Sequence, residues 1–345
     1  MSGPAAQPPR ILVTGATGFI GRRLVRRLLA EFGTESLVCL VKATGTQRET
    51  DALHSYQSAG IRLIEGDLLN DPVAVLPPPP VDLVFHLAAN IDTDATEEEA
   101  RVNDLGTRRL IDWIRPVSRG ARVVYTSSVA VHDRDREPAG PISETSPLVP
   151  RTVYGKTKLE GEAVIRGIAG DAGYSWTIVR LPTVYGPGQK PGGLFDQMMR
   201  MASEGELLGR VDWPGRTSII HVDDAVDVMV DFGMRDDARD EIYCLASDES
   251  LSVGKLARTI GKSINKPIAP IAIPGLLLAA IRRLAWSRVA WATVPRRARL
   301  SFWRLSLIVS DGFWFDTAKL RRAYRKPLRS LPEGLAQMTQ EVGRS

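Results

Sequence analysis

Cysteine is nearly absent: of 345 residues only Cys39 and Cys244 are cysteine. They stand far apart inside apolar, strand-like runs, with no Cys-x-x-Cys or Cys/His spacing. That excludes a disulfide framework and points to buried thiols of a reducing compartment, with no metal site. Long hydrophobic runs are missing too. The longest candidate, Pro267 to Ile281, is interrupted by Pro270 and Pro274 and falls short of the roughly 18 apolar residues that a membrane span needs. Residues 1–9 are small residues and prolines without an apolar core, so a flexible tail is expected there and not a secretory signal. A cytoplasmic protein, at most peripheral to a membrane, is the expectation. The most local absence is of acid. From Ser250 to Ser310 there is no Asp or Glu, against eleven Lys or Arg, with Trp286, Trp291 and Trp303 among them. Something anionic is expected to approach that segment.

What is present is an ordinary globular composition, 43% hydrophobic and 25% charged, in a chain long enough for a large core. Near its start lies Thr14-Gly15-Ala16-Thr17-Gly18-Phe19-Ile20-Gly21, between the apolar run Ile11–Val13 and the helical pattern Leu24-Val25-x-x-Leu28-Leu29. A strand, a glycine turn and a helix are implied. Gly15 turns out of the strand, Gly18 lets backbone N–H groups reach a pyrophosphate, and Gly21 lets the helix lie close to the sheet. Gly15, Thr17, Gly18, Phe19 and Ile20 are candidate cofactor contacts. The arginines of the first helix, Arg22, Arg23, Arg26 and Arg27, fall opposite its leucines as a solvated face.

A second strand, Leu37–Val41, ends at Lys42. A dinucleotide fold that takes NAD usually has a carboxylate there for the ribose 2′-OH; a cation suits a 2′-phosphate instead. NADP is therefore favoured, with Arg48 as a second contact, while NAD and a Lys42 that merely faces water stay open. Further strands follow at 61–64, 81–87 and 122–125, with a stiff connector at Pro77–Pro80 and a helix over 97–113. Strands alternating with helices predict an α/β fold, a doubly wound parallel sheet with ligands off the carboxyl ends of the strands. Gly15, Lys42, Asp67, Ala88 and Ser128 all fall at those ends. Downstream, Tyr154 and Lys158 share one face of a helix at i and i+4. An ammonium beside the phenol would lower its pKa toward working pH, as an acid/base needs.

In these residues together the chain resembles the extended short-chain dehydrogenases/reductases, of the epimerase/dehydratase type. The likeness rests on TGATGFIG at 14–21, GDL at 66–68, HLAA at 86–89, VNDLGT at 102–107, YTSSVAV at 125–131, YGKTK at 154–158, RLPTVYGPG at 180–188 and HVDDAV at 221–226. It implies Tyr154 as general acid/base, Lys158 beside it and on the nicotinamide ribose, and Ser128 orienting the substrate oxygen, with Ser127 as the backup. It also implies Asp67 and Leu68 beside the adenine, Leu87, Ala88 and Ala89 along the cofactor, and Pro182 to Val184 near the carboxamide. Asn103 matches the family's helix asparagine. His132 stands where the family often has tyrosine and is read as a surface residue; His86 and His221 are read as structural.

Thr126-Ser127-Ser128 lacks the acidic neighbours of the family's dehydratases, and Thr183 stands where its epimerases often carry asparagine. The resemblance is accordingly read as nearer the ketone and hydroxysteroid reductases. An NADP-dependent alcohol dehydrogenase or carbonyl reductase is expected. A sugar-nucleotide epimerase with tightly bound NAD and a catalytically silent nucleotide-binding assembly protein are the alternatives. Residues 10–185 and 216–247 would form the cofactor domain and 186–215 with 248–330 a mostly helical substrate region, leaving 331–345 as a tail. A small-molecule substrate and a homodimer are expected, and no nucleic acid. Residues 274–304 are expected either to dock as a substrate lid, to lie on an anionic membrane, or to meet an anionic substrate. Leu277, Ile281 and Leu284 would line one side of a helix opened by Pro274, with Arg282 and Arg283 on another.

Overall fold

The computed structural model of the chain describes residues 7–69, 77–92, 95–132, 140–168, 173–189, 194–204, 206–247, 250–310 and 313–342. Most of the expected amino-terminal tail lies outside them. The strands in chain order are β1 Ile11–Thr14, β2 Leu37–Val41, β3 Arg62–Glu65, β4 Leu83–His86, β5 Arg122–Ser128, β6 Ser175–Leu181, β7 Thr183–Tyr185, β8 Arg216–Thr217, β9 Ile219–His221, β10 Glu241–Cys244 and β11 Leu251–Ser252.

Seven of them form one sheet in the order β10-β6-β5-β4-β1-β2-β3, and the pairs among β1 to β5 are parallel. This is the doubly wound α/β arrangement, with its switch point between β1 and β4. β1, β2 and β4 are buried along their whole length, which is why they read as unbroken apolar runs and not as alternation. β3, at the sheet's edge, buries Ile64 and, in part, Leu63, with Arg62 and Glu65 exposed. The register sets Thr14 beside His86 and His86 beside Tyr125, so the carboxyl ends line up.

The helices are α1 Phe19–Phe32, α2 Gln47–Ser58, α3 Glu97–Ala100, α4 Leu105–Ile114, α5 Val153–Gly167, α6 Leu194–Glu204, α7 Leu207–Arg210, α8 Val222–Met234, α9 Val253–Ser263, α10 Gly275–Ala285, α11 Arg288–Thr293, α12 Arg296–Val309, α13 Ala318–Ala323 and α14 Leu331–Val342. By backbone proximity the chain makes two compact units. Residues 1–127, 156–179 and 226–242 form the first, and 128–155, 180–225 and 243–345 the second.

In the first unit α1 buries Gly21, Leu24, Val25 and Leu28, the stripe its spacing dictates. The helix expected over 97–113 is instead two, parted by a 3-10 turn at Arg101–Asn103. Asn103 ends that turn with its side chain hydrogen-bonded away from the helix, to Asn90 and Thr157.

In the second unit β7 pairs with β9, and β8 with β11. Its core gathers Tyr185, Phe195, Met198, Leu256, Ile260, Leu331 and Leu335. The Tyr185 ring stacks on Phe195 at 4.7 Å and meets His221 edge-on at 5.3 Å. Residues 331–345, expected as a tail, are a helix from Leu331 to Val342 with Leu331 and Leu335 buried. Gly334 explains the fit, because a Cβ there would lie 2.4 Å from the Tyr185 hydroxyl. Asp223 and Asp224, in the first turn of α8, reach the carboxyl-terminal stretch. Asp224 accepts from the Arg329 backbone and pairs with its guanidinium, and Asp223 accepts from Gln337 at 2.9 Å.

Candidate active site

The glycine loop is shaped by two close approaches. Gly15 has φ +68°, and a Cβ on it would stand 2.7 Å from the Ala88 nitrogen; a Cβ on Gly21 would stand 2.0 Å from the Gly15 carbonyl oxygen. No side chain fits at either place. The backbone of β1 thereby touches Leu87 and Ala88, and α1 starts directly over the turn. Gly18 is the N-cap of α1 with no side-chain cap, and no acid occupies the first turn. The first N–H groups and the positive end of the helix dipole are thus left for an anion, and a dinucleotide pyrophosphate fits them. The Tyr56 hydroxyl donates to the Ala16 carbonyl at 2.8 Å and braces the loop. Nothing in the glycine pattern signalled that contact, which comes from α2.

At the end of β2, Lys42 is 56% exposed and pairs with Asp67 at 2.8 Å. The two residues picked out separately in the sequence therefore meet. Glu49, the next carboxylate after Lys42, is turned inward, accepting from the Thr44 backbone at 2.7 Å and from its hydroxyl. Arg22 is half-buried, contrary to the solvated face expected for it. Burial lowers its pKa first, and repulsion from Arg48 lowers it further. Two guanidiniums thus approach each other in the unit that carries Lys42. Arg27 is also engaged, on Asp227 at 2.9 Å.

At the end of β4, His86 is fully buried, which pushes its pKa down to about 3, with Lys158 adding to the effect. Its Nδ1 lies 2.7 Å from the Thr14 hydroxyl and its Nε2 2.9 Å from that of Thr107. Thr107 donates its own proton to the Asn103 carbonyl, so it accepts from Nε2–H and Thr14 donates to Nδ1. The histidine is neutral and structural. Asn103 accepts from the Asn90 N–H at 2.9 Å and donates to the Asn90 carbonyl and the Thr157 hydroxyl, each at 3.0 Å. It holds the segment after β4 and the helix that carries Lys158.

Lys158 is 2% exposed, and its ammonium lies 4.1 Å from the centre of the Tyr125 ring. Burial pushes its pKa down to about 7, opposed by the charge of Glu162. Glu162 sits one turn further on α5, fully buried, and accepts from the Ser127 hydroxyl at 2.5 Å. The helix can lie this close because residue 161 is glycine. A Cβ there would be 2.2 Å from the Tyr125 hydroxyl. Glu162 was not singled out in the sequence, though its i+4 spacing from Lys158 was visible there.

Ser128 lies near enough to Tyr154 to act on its pKa. Ser128 also accepts from the Ala130 N–H at 3.2 Å. With Ser127 engaged on Glu162, the geometry separates the two serines. Tyr154 and Lys158 stand four residues apart on α5. The expectation of a lowered Tyr154 pKa meets a different balance. Burial raises it, and Ser128 works the other way. Pro182 and Val184 flank Thr183 at β7, where Val184 pairs with Ile220. His132 is fully buried, not at the surface. Its Nδ1 faces the Pro147 carbonyl at 3.3 Å, and its Nε2 accepts from the buried Arg180 at 3.1 Å. His221 is buried as well and accepts from the Asp223 N–H at 3.3 Å.

Residues 11–245 match the family described as the NAD dependent epimerase/dehydratase family. A UDP-glucose 4-epimerase of Mycolicibacterium smegmatis is 32% identical over 65% of this chain and 73% of its own length. A dTDP-6-deoxy-L-talose 4-dehydrogenase (NAD(P)(+)) of Kitasatospora kifunensis is 31% identical over 72% of this chain and 74% of its own. Among solved structures, a UDP-glucuronic acid 4-epimerase from Bacillus cereus, in complex with UDP-glucuronic acid and NAD, superposes with a TM-score of 0.72. That match covers 97% of this chain and 99% of that one at 22% identity, a likeness of fold. These relatives are sugar-nucleotide enzymes, and they do not single out the ketone and hydroxysteroid branch expected from the sequence.

Proposed function

Because the chain belongs to the NAD dependent epimerase/dehydratase family, we propose that it oxidises a secondary alcohol of a nucleotide-linked sugar and reduces the same carbon again, as a 4-epimerase does. The observation that carries hydride-transfer chemistry is the placing of Tyr154 and Lys158 one turn apart on α5, with Ser128 near enough to Tyr154 to act on its pKa. The sugar-nucleotide substrate is supported by the two relatives named for activities at the 4-position of such sugars.

When bound, a nicotinamide cofactor supplies the hydride acceptor and donor. In this reading Tyr154 takes the proton of the substrate hydroxyl as its carbon is oxidised and returns it on reduction, and Ser128 hydrogen-bonds the same oxygen. Lys158 offsets the charge that forms on the phenolate and holds the cofactor's ribose. Gly15, Thr17, Gly18, Phe19 and Ile20 would cradle the pyrophosphate, Asp67 and Leu68 the adenine, Leu87 to Ala89 the middle of the cofactor, and Pro182 with Val184 the carboxamide. A Tyr154→Phe variant should lose turnover by about 10²–10⁴-fold, the worth of a positioned proton-transfer group, while still binding cofactor. Turnover kept at the wild-type level would sink the assignment.

A second reading, a net NADP(H)-dependent alcohol dehydrogenase or carbonyl reductase, is favoured by the cations of the first unit. Lys42 at the end of β2 and the mutually repelling Arg22 and Arg48 suit a 2′-phosphate. A panel of UDP- and dTDP-sugars, then ketones with NADPH, separates the two. The first reading expects a 4-epimeric sugar with no net change in reduced nicotinamide; the second expects NADPH consumption with a ketone.

A further inference from the structure

The basic segment holds a helix whose apolar residues divide between two faces. In α10, Ala285 is fully buried and Leu278 and Ile281 are half-buried, which gives the helix an inward side. Two of the residues whose spacing puts them on one side, Leu277 and Leu284, point to solvent, and Leu276 does so too. Leu276 is 90% exposed and Leu277 and Leu284 are each 53% exposed; Val289, just beyond, is 75% exposed. At 3.6 residues per turn, positions 276, 277, 280, 283 and 284 share one face, so three leucines, Ala280 and the exposed Arg283 form one solvent-facing strip.

The helix is held firmly from its other side. The Trp286 indole N–H donates to the Ser310 hydroxyl at 2.7 Å, and its ring stacks on Phe313 at 6.0 Å. The Arg151 guanidinium lies 4.1 Å from the Trp291 ring centre and 5.6 Å from that of Trp286. These tryptophans are therefore inward anchors, and the leucines are left over once the anchoring is complete. Four exposed aliphatic side chains within fourteen residues are more than isolated surface residues. They belong to the stretch Ser250–Ser310, which has eleven Lys or Arg and no acid.

We propose that the exposed face of α10, continued by Val289, is a docking surface for an anionic lipid bilayer, with Leu276, Leu277 and Leu284 entering the interface and Arg283 meeting the headgroups. An apolar strip within a purely cationic segment is the pattern of helices that lie in a membrane interface. A protein partner would have to be as uniformly acidic across the whole contact. No described helix is long and apolar enough to cross a membrane, so the mode is peripheral. The proposal is independent of the sugar-nucleotide reading, since it concerns where the protein sits and not what it converts.

The test is co-sedimentation of the full chain with vesicles of phosphatidylcholine alone or mixed with phosphatidylglycerol, across a salt series. Wild type should pellet with the phosphatidylglycerol vesicles and be released by salt. A Leu276→Ser/Leu277→Ser/Leu284→Ser variant should bind at least about ten-fold more weakly, because apolar burial supplies part of the affinity. Arg283→Glu should weaken binding less, and only at low salt. These residues are exposed, so sugar-nucleotide turnover in solution should be unchanged in every variant. The proposal is overturned if wild type fails to pellet, or if the triple variant pellets as well as wild type. It is equally overturned if the variant's main change is a smaller particle in size-exclusion chromatography, which would make the strip a contact between two copies.

Discussion

Two lysines of the first unit are read from sequence by the same rule, an ammonium placed beside a group that needs charge, and the structure treats them in opposite ways. Lys42 is half-exposed on a β-strand end and pairs with Asp67; Lys158 is buried over an aromatic ring and its pKa falls to about 7. The difference is solvation. In water an ammonium keeps its proton whatever its neighbours; out of water, a neighbour such as Glu162 becomes the main support of the charge. A lysine–carboxylate spacing therefore says little until burial is known.

The largest effect is expected from removing the buried member. Lys158→Met should lower turnover by about 10²–10⁴-fold, in the range of positioned acid/base groups, and yet raise thermal stability at neutral pH by a few degrees, on the order seen when about 1 kcal/mol is gained. The sign follows from the depressed pKa. Between pH about 7 and the unfolded value near 10.5, the unfolded chain binds the proton that the folded one has lost, so wild-type stability rises with pH in that window and the penalty is complete below it. The stability gap between variant and wild type should therefore close as pH rises from about 7 toward 10.5. A gap that is constant with pH would mean that the lysine is not desolvated.

Glu162→Gln tests the support itself. Removing the charge that raises Lys158 should move the Lys158-dependent limb of the pH–rate profile to lower pH, with Glu162→Asp partly restoring it. A loss of activity with no movement of the profile would leave Glu162 only a packing role. At the exposed site the effects should be smaller. Lys42→Glu should reduce preference for NADPH over NADH by about ten-fold, the scale of one charge-assisted contact, and leave stability nearly unchanged, since exposed ion pairs contribute about 0–1 kcal/mol. Equal weakening of both cofactors would show that Lys42 does not read the 2′-position.

Much of the first unit was legible because its strands are buried on both faces and its ligand loop needs glycine for steric reasons that survive in any sequence. Gly15, Lys42, Asp67, Ala88 and Ser128 were placed at strand ends by alternation alone. Less legible were residues whose partners are distant in the chain. Tyr56 braces Ala16, Glu162 engages Ser127, and Arg180 bonds His132, and no local period encodes such pairs. The direction of the Tyr154 shift was misread because helical spacing gives neighbours but not burial. The carboxyl helix, expected as a tail, carries Pro332 in its first turn, which tolerates proline, and Gly334 where room is needed for Tyr185. In α10 the spacing put Leu277, Ile281 and Leu284 on one side but left open which way that side faces; Leu277 and Leu284 face solvent.

The central claim, that the substrate carbon is oxidised and reduced within one turnover by Tyr154 chemistry, is met most directly with a UDP-sugar carrying deuterium at C4. A 4-epimeric product that keeps its deuterium is expected, with no reduced nicotinamide released and no product from Tyr154→Phe. Deuterium appearing in free reduced cofactor, or no sugar converted while NADPH is consumed with a ketone, would contradict it.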